Sequence, residues 1–402
     1  MSVLKKALVI SGKCFLTLVL FVLFIASATE ISPVFDFEEP SPFSGSDVFN
    51  PYAALDTSIG WKRANFHTHT KVDGLLNECG FTPREVYDSL DRLGYDIVTF
   101  SNHNELTEHP FDTSLQVNVY EHGYNLFKYH KLVFGSEKVN RYDNLFPFLI
   151  SQKQYQLDCI SHDCDFILLN HPFRTLGTTQ REMSLLTGYS IIELDSGVST
   201  ENEYWDWALS AGHYSFALAN DDLHHPDRSD CIAVRCNFLN TPSARYADIR
   251  KTLMQGNYYC MRIPDYGNGN PAVKYEGNRH LPSITDIGLD GRDSVFISLS
   301  RPASSIVFYG QNHSILHKSD SVSASGYRFK DADSYVRITA FFDDGCVIYT
   351  NPFARYVKPA DSPYTVSPHS ENLVLSLLYN MLVFAVCGLW ALCAVKLWRK
   401  KH

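Results

Sequence analysis

Apolar and polar positions divide the chain into stretches with different periods. Near the start, Lys5, Lys6 and Lys13 flank an apolar run from Cys14 to Ile25, and Ala26-Ser27-Ala28 follows. That order is the one a secretory signal with a small-residue cleavage site requires. Ala7 to Ile10 lengthens the run towards the roughly 20 apolar residues of a membrane span, so residues 1–28 read as a signal peptide or a signal anchor. At the other end Leu373 to Val395 is 23 residues without a charge, followed by Lys396, Arg399, Lys400 and Lys401. This predicts a transmembrane helix over 373–395 with a basic tail over 396–402.

Between the two apolar ends the pattern becomes that of a folded domain. Residues 29–60 are rich in Ser, Pro, Phe and Asp without a period and read as a linker. From Trp61 short apolar runs alternate with helical stretches. Ala64-Asn65-Phe66, Tyr95 to Phe100, Lys131 to Phe134, Phe166 to Leu169, Ser190 to Leu194 and Ser215 to Leu218 read as buried strands. Thr82, Pro83 and Glu85 open a helix as N-cap, first-turn proline and capping-box acid; Val86, Leu90 and Leu93 give its apolar face and Gly94 its stop. Tyr120 to Tyr129 reads as an aromatic loop. This alternation predicts an α/β domain over 61–284 with parallel strands and outer helices. From residue 285 the period falls to two, with Asp343-Asp344-Gly345 as a hairpin turn, so 285–358 reads as a small all-β segment and 359–372 as a second linker.

Composition narrows the function. The chain has 402 residues and a net charge of -9, and it contains no long Lys/Arg run, which speaks against a nucleic-acid partner. Basic residues flank both apolar ends, so the positive-inside rule puts both termini in the cytoplasm if the signal is retained. The intervening domain is then extracytoplasmic and tethered to the membrane. Seven of the ten cysteines fall in that part without metal-binding or redox spacing, so disulfides are allowed there and not required.

The polar residues that carry chemistry sit at strand ends. His67 and His69, one residue apart on an extended segment, point to the same side. His103, Glu137, His171, Asp222 and His224 each follow a predicted strand, and in an α/β barrel such positions line one mouth. Imidazole and carboxylate without thiolate suit Zn, Mn or Fe. Glu193 or Asp195 would line the mouth without binding metal. The remaining histidines, His122, His130 and His225 among them, read as structural or solvated.

In order along the chain these residues resemble the polymerase and histidinol phosphatase (PHP) superfamily of metal-dependent phosphoesterases. Phe66-His67-Thr68-His69-Thr70 with Asp73-Gly74 is similar to its first motif, Ser101-Asn102-His103-Asn104 to its second, and Gly135-Ser136-Glu137 to its third. Asn170-His171-Pro172 and Asp222-Leu223-His224 are similar to its two later motifs. The exported position and the trailing β-rich segment, ending in Tyr349-Thr350-Asn351-Pro352, resemble its secreted carbamate-ester hydrolase branch. The resemblance implies a distorted (β/α)7-type barrel holding two or three divalent ions. Their ligands would be His67, His69, Asp73, His103, Glu137, His171, Asp222 and His224, with Glu137 bridging two ions and, with Asp222, serving catalysis. Asn102 stands where the family has Asp, and Asp73 is displaced by one residue. Arg174 would bind substrate phosphate.

The function expected is phosphoester hydrolysis of a small-molecule, lipid or nucleotide-type ester by a metal-activated water. Hydrolysis of an ester, carbamate or amide on the same ions stays open, as does a non-catalytic ligand-binding relative.

Overall fold

The capping signal at Thr82 acts as its residue types dictate. The Glu85 amide donates to the Thr82 hydroxyl at 3.4 Å while the Glu85 carboxylate accepts from the Thr82 amide at 2.8 Å. The helix Pro83–Arg92 buries Val86 and Leu90, and Gly94, at φ 79°, turns the chain out of it. The computed structural model describes residues 3–73, 77–194, 203–265, 271–364 and 368–399. Gly74, Asp195, Lys400 and Lys401 lie outside the described residues.

Nine strands frame the α/β part: β1 (Lys62–Asn65), β2 (Ile97–Val98), β3 (Val119–His122), β4 (Lys131–Phe134), β5 (Phe166–Leu169), β6 (Ile191–Leu194), β7 (Phe216–Ala219), β8 (Arg235–Leu239) and β9 (Tyr258–Arg262). They belong to two sheets. One runs β3-β4-β5-β6-β7; the other, of eleven strands, contains β9-β8-β1-β2. The fold is mixed α/β, and its strands are not uniformly parallel as the alternation predicts. β4 runs antiparallel to both β3 and β5, and β8 antiparallel to both β1 and β9. Among the described residues the parallel strand pairs are β1/β2, β5/β6 and β6/β7.

No closed hydrogen-bonded barrel forms among the described residues. Instead the two sheets are joined at one end by two single bridges, Thr68 to Leu223 and His103 to Glu121. The His69 amide donates to the Leu223 carbonyl at 2.9 Å, the Leu223 amide to His67 at 3.1 Å, and the Glu121 amide to Asn102 at 3.1 Å. Each bridge joins segments that carry or adjoin the predicted ligands, so the closure and the candidate site are one structure. Beneath it the stacked Phe134 and Phe166 rings, 4.6 Å apart, and the edge-on Phe66 form the core floor. Each such burial stabilises the fold by about 1.5–3 kcal/mol.

The β-rich segment extends the larger sheet. Tyr335–Phe341 and Val347–Thr350 pair across the predicted turn at Gly345, and Val347–Thr350 lies antiparallel to β9. The Asp206 carboxylate of helix Glu203–Ser210 accepts from the Arg337 guanidinium at 2.8 Å, tying this segment to the α/β part.

Two helices, Val3–Ala28 and Leu373–Trp398, are long and apolar enough to cross a membrane. They lie antiparallel. The Trp398 indole donates to the Thr17 hydroxyl at 2.8 Å and the Trp390 indole to the Ser27 hydroxyl at 3.0 Å. No disulfide forms among the described residues.

Candidate metal centre

β1 continues as an extended segment through Phe66 to His69, so alternate side chains take opposite sides. Phe66 goes into the core, and His67 and His69 face the gap between the sheets, buried. Opposite them stands Glu121, a fully buried side chain at the end of β3. Its Oε2 lies 3.2 Å from the Nε2 atoms of His67, His69 and His103, while its Oε1 lies 3.0 Å from His130 Nδ1 and 3.3 Å from His171 Nε2. Asp222 closes the group, with Oδ1 at 3.2 Å from both His67 Nε2 and His69 Nε2. A single carboxylate therefore meets five imidazoles.

Two overlapping sets of donors result, sharing Glu121: His67, His69, Glu121 and Asp222, and His103, Glu121 and His130. Within each the ligand atoms lie within 4.8 Å of one another. A third convergence forms at the rim, where the Glu78 carboxylate meets His103 at 3.2 Å and His224 at 3.1 Å.

The donors fit a metal ion by their unmet valences. Among the described residues His67 Nε2, His69 Nε2 and Glu121 Oε2 are buried atoms with no hydrogen-bond partner. Such groups are costly unless something else occupies them. Four separations in the first set are equal at 3.2 Å. Spacing this short and even puts two imidazole nitrogens and two carboxylate oxygens within reach of one cation.

Electrostatics agree. Burial works against a charged His67, yet Asp222, Glu193 and Glu121 more than offset it and hold its imidazole well above the usual range. His103 is pushed up to about 9 although burial opposes it, because Glu121 and Glu78 face it. The carboxylates of Glu121 and Asp222 are held well below the usual range despite burial, by the surrounding imidazoles. Protons on imidazole here supply the positive charge that the carboxylates demand, and divalent ions would supply it with better geometry. His130 differs: burial pushes it down to about 4, leaving a neutral ring suited to ligation.

Supporting residues orient the donors. The Glu193 carboxylate pairs with His67 Nδ1 at 2.9 Å and accepts from the His171 amide at 3.0 Å and the Asn220 side chain at 3.0 Å. A carboxylate behind a ligand imidazole fixes its tautomer and direction. Asn102 faces away from the donors. Its Oδ1 accepts from the Thr70 amide at 2.8 Å, and its Nδ2 donates to the Thr70 and Thr107 hydroxyls at 2.7 Å each. The neutral amide thus ties the second motif to the first. Backbone strain is concentrated here too: Asn104, Lys128, His171 and Asp222 all adopt positive φ.

The structure gathers most of the predicted residues and separates two. His67, His69, His103, His171, Asp222 and His224 converge. Glu137 is exposed, after the β4 turn, and takes no part in the cluster; Glu121 is the carboxylate common to the two donor sets. Asp73 is also exposed, and Glu78 fills the rim position in its place. Arg174 pairs with the outer oxygen of Asp222 and lines the cavity. Glu121 and His130 escape the sequence reading because of how β3 and β4 are placed, and Glu78 because it follows no predicted strand. The Tyr120 to Tyr129 stretch is read there as a loop, whereas its start belongs to the buried strand β3. Since β4 is antiparallel to β3 and β5, its first end, carrying His130, lies at the mouth. A rule built on the C-terminal ends of parallel strands passes over it. The alternation Val117, Val119 and Glu121 is the signal that was available.

The donors open into a cavity of about 300 Å³ lined by Glu78, His103, Glu121, Lys128, His130, His171, Arg174, Asp222, His224 and His225. A larger cavity of about 830 Å³, outside helix Pro83–Arg92, includes none of them.

No protein-family model matches the chain, and no curated protein matches it. Among solved structures it is similar to a two-domain protein containing a predicted PHP-like metal-dependent phosphoesterase from Bacteroides vulgatus, at 14% identity and a TM-score of 0.37, over 79% of this chain and 100% of that one. Nothing in this match bears on the carbamate-ester branch.

Proposed function

We propose that the protein is a membrane-anchored hydrolase acting on phosphoesters with two or three bound divalent ions. One observation carries the reading: Glu121 is shared by two convergent donor sets, and in the first of them His67 Nε2, His69 Nε2 and Glu121 Oε2 are buried without a hydrogen-bond partner. His67, His69, Glu121 and Asp222 would hold one ion and His103, Glu121 and His130 a second, with His171 beside it; Glu78, His103 and His224 offer a third position. Bound there, such ions supply Lewis acidity and an activated water.

The chain's own residues do the rest. Glu193 and Asn220 lock His67 and the start of the His171 loop in place, so the donors need little reorganisation on binding. Lys128 and Arg174 give the cavity two cations on the solvent side of the donors, where a phosphate would sit. Arg174, held by Asp222, is aimed before substrate arrives. A neutral carbonyl ester has no use for this pair, which is why phosphoester is preferred.

The test is metal analysis and turnover of the purified full chain, loaded in turn with Zn, Mn and Fe. At least two ions per chain and hydrolysis of aryl phosphomonoesters or diesters in preference to aryl esters and carbamates are expected. Fewer than one ion per chain after loading overturns the reading. Faster turnover of the carbonyl esters retains the ions and overturns the substrate class.

A further inference from the structure

The two loops that bring cations to the cavity also bring exposed leucines to its rim. Leu126-Phe127-Lys128 follows β3, and Arg174-Thr175-Leu176 follows β5. They are bonded together: the Leu176 amide donates to the Phe127 carbonyl at 2.7 Å and the Thr175 hydroxyl to the Lys128 carbonyl at 3.0 Å. Lys128 and Arg174 turn into the cavity, whereas Leu126 is 62% exposed and Leu176 63% exposed. A third loop adds Phe148, 68% exposed, whose ring meets Phe127 edge-on at 5.1 Å. Large apolar side chains grouped this openly at the edge of a charged cavity are unfavourable in water and mark a surface that is covered.

The position of this rim identifies what covers it. The loop carrying Phe148 is fastened to the end of the first long apolar helix. The Asn144 side chain donates to the Thr29 carbonyl at 2.7 Å and the Phe146 amide to the Glu30 carboxylate at 2.9 Å. Gln152 bridges Glu30, at 2.8 Å, and the Tyr379 hydroxyl of the second, at 2.9 Å. The Leu126 amide in turn donates to the Leu145 carbonyl at 3.1 Å, so helix ends, apolar rim and cavity form one bonded series. If the two helices span a bilayer, the rim rests at its surface, because the helices leave the domain beside it.

We infer that the cavity takes its substrate from the bilayer: a lipid with a phosphorylated headgroup, whose phosphate meets Lys128, Arg174 and the metal donors while its acyl chains stay against Leu126, Phe148 and Leu176. The inference rests on the phosphoesterase reading above and on both helices crossing the membrane. It explains why each cation is two residues from an exposed leucine. An amphiphile lying across the rim needs both kinds of contact at that spacing, and a water-soluble phosphoester needs only the cations. The apolar residues then act as interfacial anchors.

The experiment uses the metal-loaded full chain in phosphatidylcholine vesicles. Substrates are phosphatidate and phosphatidylglycerol in the same vesicles, against glycerophosphate and glycerophosphoglycerol in solution. Faster release from the lipids is expected. The variant Leu126→Gln/Phe148→Gln/Leu176→Gln is expected to lose about tenfold or more on the lipids, with turnover of the soluble esters unchanged. A wild-type preference for the soluble esters, or a triple variant with undiminished lipid turnover, overturns the inference and leaves the phosphoesterase reading intact. Turnover of neither class overturns both. A readout free of catalysis is Phe148→Trp, whose added fluorescence is expected to be quenched by brominated phosphatidylcholine; an unquenched signal overturns the docking surface.

Discussion

Two buried charge clusters, one at the mouth and one between helix Glu203–Ser210 and the β-rich segment, solve the same problem in opposite ways. In the second, Asp206 and Arg337 are both fully buried, and every demand is met internally. Asp206 accepts from Arg337 at 2.8 and 2.5 Å and from the Tyr335 hydroxyl at 2.9 Å, and Arg337 also donates to the Thr339 hydroxyl at 3.1 Å. In the first, carboxylates and imidazoles crowd together at 3.0–3.3 Å, yet key nitrogen and oxygen atoms have no hydrogen-bond partner among the described residues. A satisfied network holds a structure together. An unsatisfied one, kept in place by strain and by outer hydrogen bonds, is arranged for something that arrives from outside. The contrast separates structural from functional burial without reference to any relative.

Mutations that strike each cluster should therefore have opposite readouts. The largest effect is expected at the shared carboxylate. Glu121→Gln keeps the shape but removes the charge shared by both donor sets, so metal content should fall and turnover drop about a thousandfold or more, the several kcal/mol that metal-ion stabilisation supplies. The thermal midpoint of the metal-free protein should not fall. Unfolding of this variant without metal would reverse the contrast. Next, Asp206→Ala leaves a buried guanidinium unpaired and should cost about 3–5 kcal/mol in denaturant unfolding, with metal stoichiometry unchanged in whatever folds.

A smaller loss is expected at the supporting carboxylate. Glu193→Gln should weaken metal affinity about 10–100-fold in a competition titration, without changing the number of ions bound at saturation. The acid limb of stability offers a fourth test. Burial raises the Asp206 carboxyl, but Arg337 and His313 outweigh that and hold it below the usual range. A lowered folded-state value means the contribution is present above the unfolded value of about 4 and is lost as pH falls through the folded one. Unfolding followed below about pH 4 should show that loss in wild type and not in Asp206→Asn. The smallest change is expected at Glu137, which is exposed and apart from both clusters. Glu137→Gln should shift stability by less than about 0.5 kcal/mol and leave turnover untouched. A loss there would restore it to the centre and displace Glu121.

Residue order alone determined a good deal. The two apolar terminal runs, the capping box at Thr82 and Glu85, the β-rich period after residue 284 and the hairpin at Gly345 are local patterns, set by side-chain type and near-neighbour geometry, and they appear where the pattern puts them. His67, His69, His103, His171, Asp222 and His224 were legible because each sits beside a recognisable apolar strand. Strand direction was decided only by tertiary structure. The antiparallel β4 brings His130 to the mouth, and the burial of β3 turns a stretch that reads as loop into the support of Glu121. Periodicity records which face of a strand is buried and carries no information about which way its neighbour runs. Which carboxylate the two donor sets share depends on that pairing, so only the fold could decide it.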